Sequence, residues 1–176
     1  MERPKLIVRA TVLRFWDGDG RVYRKARSGV ATEALRVLFL DRLLEEEVVV
    51  GDVLLNEGAE AIWKLVTGDT SVTPFDNANT CLGVGDGTEA EDPTQTGLTG
   101  TNKYYKKVDS GYPVVQGNSV VFRATFGSDE ANFTWNEWSV ANGCSDDAIN
   151  LNRKQESLGT KSSGQTWILE VELQLS

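Results

Sequence analysis

Thr166-Trp167-Ile168-Leu169-Glu170-Val171-Glu172-Leu173-Gln174-Leu175 is the run that decides the fold. Trp167, Leu169, Val171, Leu173 and Leu175 fall on one side of an extended chain, with Glu170, Glu172 and Gln174 on the other. Successive side chains of a strand point to opposite faces, so this period of two predicts a half-buried strand. Upstream, residues 119–126, 133–141 and 151–158 are rich in strand formers and are separated by turn-like clusters. Strands joined by short turns pair antiparallel, and this many of them imply a sandwich. The expected fold is mainly β: an antiparallel β-sandwich, jelly-roll or Ig-like, with one or two short helices and an N-terminal hairpin-helix extension. Phe122, Phe126, Phe133, Trp135 and Trp167 are its expected core aromatics.

Further back the signal changes. Residues 69–118 are rich in Thr, Gly, Asn and Asp, with short strands expected only near 81–84 and 103–108. Loops this long are commonly interfacial, so partner contacts are expected there. Asn56 can cap a helix over 56–67, in which Ala59, Ile62, Trp63 and Val66 line one face and Gly68 ends it. That stripe, Trp63 included, is expected to pack on the sheet. Residues 31–47 also have helical spacing, through Leu35, Leu38, Phe39 and Leu43, with Thr32 as the cap. Val48-Val49-Val50 and Val53-Leu54-Leu55 around Gly51-Asp52 suggest a short hairpin. Residues 5–27 read as another, turning at Asp17-Gly18-Asp19-Gly20. The expected division is a docking extension over 1–53 and a sandwich domain over 54–176.

Composition limits the chemistry. The chain has 176 residues, a net charge of −8 and no histidine, which removes the commonest general base and metal ligand. The acidity disfavours a phosphate-backbone partner. The local exception is Arg21, Arg24, Lys25 and Arg27, candidates for docking onto an acidic partner surface. Cys81 and Cys144 are expected as buried free thiols, with one disulfide as the alternative. The start, Met1-Glu2-Arg3-Pro4, has no leader character, and no apolar run is long enough to span a membrane.

The motifs that invite catalysis fail on their surroundings. Gly83-Val84-Gly85-Asp86-Gly87 looks like a phosphate loop, but Glu89, Glu91, Asp92 and Pro93 follow in place of a helix, so a strand-exit turn is expected. Asp86, Glu89, Glu91 and Asp92 could gather around a cation, although solvated loop acids are the commoner outcome. The DGDG run lacks the continuation of a calcium loop, since Arg21 stands where Asp or Asn belongs. Glu130 and Glu137 beside Trp135 and Trp138 could form a glycosidase-like pair only by facing each other across a cleft. No catalytic residue, cofactor or metal is expected.

One resemblance emerges from specific segments. Asn56-Glu57-Gly58-Ala59-Glu60-Ala61-Ile62-Trp63 and, later, Asn77-Ala78-Asn79-Thr80-Cys81-Leu82-Gly83-Val84-Gly85-Asp86-Gly87-Thr88 resemble small structural proteins of tailed bacteriophages. So do Phe122-Arg123-Ala124-Thr125-Phe126-Gly127, Trp135-Asn136-Glu137-Trp138 and Leu151-Asn152-Arg153-Lys154. The likeness covers roughly residues 54–176 and carries no catalytic residue. In such a pattern the strand containing Glu137 uses that carboxylate to satisfy nearby loop amides while its aromatics pack. The resemblance implies a non-enzymatic virion protein, made in the host cytoplasm and assembled into the particle. A capsid decoration or cement protein on the major capsid protein comes first. A tail, baseplate or short tail-fibre component among neighbouring tail proteins is the alternative, and a carbohydrate-binding or glycosidase module is a remote one. A homo-oligomer, with a trimer as the first guess, is expected, and neither nucleic acid nor membrane.

Overall fold

The computed structural model describes residues 6–176. The opening residues, on which the leader-free reading of the start rests, lie outside that range. In chain order the elements are β1 (Leu6–Trp16), α1 (Arg21–Arg27), α2 (Thr32–Leu38), β2 (Leu43–Val50), β3 (Val53–Leu54) and α3 (Asn56–Val66). They continue with β4 (Cys81–Gly85), β5 (Lys103–Lys107), β6 (Val114–Gln116), β7 (Ser119–Phe126), β8 (Thr134–Ala141), β9 (Asn152–Thr160) and β10 (Gln165–Leu175). A 3-10 turn, Leu40–Arg42, precedes β2. The chain is mainly β, with 42% strand in two antiparallel sheets of five.

Two compact units hold one sheet each. The first comprises the described residues through Gly51 with Val108–Glu130 and Ser162–Ser176; the second is Asp52–Lys107 with Ala131–Lys161. This division differs from the expected cut at 53/54, because the N-terminal segment does not stand apart. All eleven residues of β1 pair with β10, from Leu6 opposite Leu175 to Trp16 opposite Gln165. Residues 119–175, expected to build the sandwich core with strands near 81 and 103, are divided between the two units.

The first sheet runs β2-β1-β10-β7-β6. Its centre is the alternating strand β10, whose period of two is continued by its neighbours. Ala10, Val171 and Phe122 form one row across three strands, and Val12, Leu169 and Ala124 the next. All six are buried. On the opposite face Leu13, Phe15 and Ile168 cluster with Val22 and Ala26 of α1, Leu35 of α2, and Phe39. Each helix is only seven residues long, too short to persist alone, so this packing is what holds them.

Three expectations about the first fifty residues are corrected. Residues 21–27 form helix α1, where a second hairpin strand was expected. The cause is Asp17, whose carboxylate accepts the backbone N–H groups of Val22 and Tyr23 at 3.0 and 2.9 Å and so caps that helix. The helix expected over 31–47 ends at Leu38, and Leu43–Val50 is a strand. There Glu45 and Glu47 reach the buried Arg14 at 2.8 and 2.7 Å, a pairing that fixes the extended register. No hairpin forms around Gly51-Asp52, since β2 pairs with β1 and β3 with β9.

The second sheet runs β3-β9-β8-β4-β5. Trp135 and Trp138 of β8 are fully buried in it, as Phe126 is in the first unit and Trp167 nearly so. Truncating a buried aromatic of this size typically costs ~3–5 kcal/mol. Phe122 is buried as well, and Phe133 is half-buried. Cys81 and Cys144 are joined as a disulfide with Cα atoms 5.3 Å apart, so the expected free thiols are absent among the described residues.

Candidate functional site

The glycine-rich loop after β4 does form an anion cradle, and the protein fills it with its own side chain. Glu137, on β8, is fully buried beneath residues 86–100. Its Oε1 accepts the N–H groups of Gly87 and Gly100 at 3.1 and 2.7 Å, and its Oε2 accepts that of Thr99 at 2.9 Å. Successive backbone amides turned inward favour negative charge, which is the chemistry of a phosphate loop directed at a carboxylate. Arg153 of β9 completes the arrangement, its Nε 2.8 Å from Oε2, with both side chains wholly inaccessible. Its remaining nitrogens donate to Gln95 Oε1 at 3.1 Å and to the Glu89 carbonyl at 3.0 Å. A Cβ at Gly85 or Gly87 would run into the Glu137 carboxylate, so the glycines serve close approach. Glu137, weighed as one half of a glycosidase pair, is thus committed to holding a loop.

The first unit has its own buried pair. Arg123 of β7 donates to Asp109 Oδ2 at 2.7 Å, to the Ala26 carbonyl at 2.8 Å and to the Val30 carbonyl at 2.7 Å. Its guanidinium also lies 4.4 Å from the Tyr112 ring. The Ala26 carbonyl at the end of α1, which also accepts the Gly29 N–H, and the turn into α2 are therefore bound by one side chain of the sheet. Asp109 is held further by Thr125 at 2.7 Å and Arg27 at 3.0 Å. Burial pushes its carboxyl above the ordinary aspartate range, against the pull of these partners. The sequence signal for this pair is an arginine inside an apolar strand, Val-Val-Phe-Arg-Ala-Thr-Phe.

Of the four cations expected at a docking surface, the structure keeps three available. Arg21, Arg24 and Lys25 are exposed on α1, whereas Arg27 turns in to Asp109. The acidic loop does not converge. Asp86 accepts from Asn102, Glu91 from the Gln155 amide, and Asp92 from the amide and hydroxyl of Thr94. The hydrogen bonds from Asn102 and Thr94 hold the carboxyls of Asp86 and Asp92 below the usual range. An open cleft of 490 Å³ lies over Asp17, Asp19, Asp129 and Glu130. Asp17 there caps α1, and Asp19 is paired with Arg42 at 2.6 Å. Among the described residues no group of three or more His, Cys, Asp or Glu side chains is placed to hold a metal ion.

Exposed apolar side chains occur at Val37, Leu38, Leu40 and Leu44 in the first unit and on α3 in the second. Trp63 was expected in the core, yet it is 69% exposed, and Val66 is 70% exposed. The helix packs through Gly58 and Ala61, its two smallest buried positions, at the spacing of one turn. Gly58 sits so close to the Leu151 carbonyl that a Cβ would overlap it. Backbone contact of that kind turns the small side inward and leaves Trp63 and Val66 exposed, with Ala59 and Ile62 half-buried beside them. The small pair at three-residue spacing is the clue by which sequence could have located the packed face. A shallow depression lined by Glu57, Glu60, Ala61, Lys64, Val72 and Ile149 borders the same helix.

Compared with known proteins, the chain matches no family model, no curated protein and no solved structure.

Proposed function

We propose that this chain is a non-enzymatic structural protein of a tailed-bacteriophage particle, a decoration or cement protein that binds the major capsid protein. The observation that carries the reading is the exposed apolar pair of α3, Trp63 and Val66, with Trp63 69% exposed. Soluble monomers seldom expose large aromatics beside aliphatic neighbours, and Trp is enriched where protein surfaces meet. The most deeply buried carboxylates support the same reading, because Glu137 and Asp109 brace loops. A loop framework fixed by internal ion pairs and a disulfide suits a protein that works by presenting a rigid surface. The antiparallel sandwich, jelly-roll or Ig-like, remains part of this proposal, supported by two five-stranded antiparallel sheets.

The docking role expected for residues 1–53 moves to α3, since β1 is integral to its sheet and its removal would unfold the first unit. Particles assembled without the protein provide the test, with purified full chain added back. Wild-type chain is expected to bind, and the W63S/V66S variant to bind at least ~10-fold more weakly, the loss of a single interface hot spot. Both positions are largely exposed, so the variant's urea midpoint is expected to match wild type. Equal binding by the two proteins would remove α3 from the interface.

A further inference from the structure

Among the described residues Lys161 is the one lysine that is buried, at 1% exposure. Lysine rarely sits so deep, because its ammonium loses the water that stabilises it. Its Nζ donates to Asn132 Oδ1 at 2.8 Å. The amide carbon lies one C=O bond beyond that oxygen, so nitrogen and carbon are at most about 4 Å apart. Reacting atoms poised for attack are typically ~3–3.5 Å apart, a small movement away. The backbone holds both residues in place. Thr134 and Thr160 pair at one end of β8 and β9, with their hydroxyls 2.7 Å apart. The Lys161 N–H then donates to the Phe133 carbonyl at 3.1 Å and carries the pairing one step further. Asn132 follows Ala131, whose φ of 52° is the only left-handed one at a non-glycine among the described residues. The Ala131 carbonyl accepts the Phe133 N–H and the Trp135 Nε1–H, both at 2.9 Å. Such strained positions persist only where the surroundings fix them, and here they fix the turn that delivers Asn132.

Amines withdrawn from water favour the uncharged form, which is the nucleophile. We propose that Lys161 and Asn132 join through an intramolecular isopeptide bond. Lys161 Nζ attacks Asn132 Cγ, and the new C–N bond forms as the carbonyl π pair moves to Oδ1. The carbonyl then re-forms and the Cγ–Nδ2 bond breaks. The proton given up by Nζ leaves on Nδ2, which departs as ammonia. One amide replaces another, so no oxidant, reductant or further reactant enters. Asn132 is exposed while Lys161 is buried, which shields the nucleophile and gives ammonia a route to solvent. The bond ties the residues just before β8 to those just after β9. At the other end of the same strand pair, the disulfide from Cys81 holds Cys144 in the β8–β9 connection. The pair is thereby secured covalently at both ends. The inference rests on the second unit alone and holds whether or not the particle reading does.

Intact-mass spectrometry on the full chain, purified folded and then reduced, tests the bond. Wild type is expected to fall below its sequence mass by one ammonia, about 17 Da. A protease digest is expected to yield the segments around Asn132 and Lys161 as one linked peptide. K161R keeps a cationic donor but removes the nucleophilic amine, and N132A removes the amide at an exposed position. Both variants are expected at full mass. A loss of ammonia that persists in K161R would come from backbone attack on Asn132 and would overturn the proposal. So would wild type that stays at full mass after days at neutral pH, the result for a hydrogen bond alone. Should K161R lack a cooperative urea transition, the wild-type digest and N132A decide the matter. The absence of a linked peptide, or a loss retained by N132A, overturns the proposal in that case.

Discussion

Glu137 shows how a single residue can organise a loop. Three backbone N–H groups and one guanidinium converge on its fully buried carboxylate. Breaking a buried ion pair from one side leaves an uncompensated charge, typically at ~3–5 kcal/mol. Glu137→Ala is expected to lower stability by about that amount in urea denaturation, and to accelerate amide exchange at Gly87, Thr99 and Gly100. An unchanged midpoint would mean that the loop holds itself. Asp52 works in the opposite sense. Burial raises its carboxyl to about 6, with the Asn152 hydrogen bond opposing and Glu91 adding to the rise. Its folded pKa therefore exceeds the unfolded aspartate value of about 3.9, so the folded state binds the proton more tightly. The stability this group contributes is present below about pH 4 and is lost as pH rises toward 6. Asp52→Asn is expected to match wild type at low pH and to exceed it at neutral pH by roughly 1–2 kcal/mol. Urea midpoints of both proteins at pH 4 and pH 7 check the sign, and parallel pH profiles would contradict it.

At the scale of elements, legibility followed the kind of signal. The strands of the last third were readable because alternation records which side of a strand is buried. Residues 119–126 are β7, and the strands expected over 133–141 and 151–158 begin one residue later, at Thr134 and Asn152. The first fifty residues were misread because their structure is set by distant partners. Asp17-Gly18-Asp19-Gly20 is turn-forming by composition, and only the aspartate reaching Val22 and Tyr23 makes the following residues a helix. The run over 43–47 has helical spacing, but the buried Arg14 draws its glutamates into a strand. In α3 the helix was located correctly, but Trp63 and Val66 are exposed, since Gly58 lets the backbone approach Leu151. The Glu137 interaction with loop amides was legible, whereas Arg153 was not, because nothing local marks it as the partner of a residue 16 positions away.

For the whole molecule, the two units share one construction. Each is a five-stranded antiparallel sheet braced by one fully buried arginine–carboxylate pair, Arg123–Asp109 in the first and Arg153–Glu137 in the second. The second adds a disulfide between residues 63 positions apart. Closing a loop of that length removes much of the freedom of the unfolded chain, a constraint typically worth ~2–4 kcal/mol. The proposed role is a surface held in place in many copies on a phage particle. The direct measurement is the copy number of this chain relative to the major capsid protein in purified particles, by quantitative mass spectrometry. A decoration protein is expected at a ratio near one or at a fixed lattice fraction such as about one third, the value for one copy at each three-subunit junction. A handful of copies per particle would place the protein in the tail, and its absence from purified particles would rule out a virion role altogether.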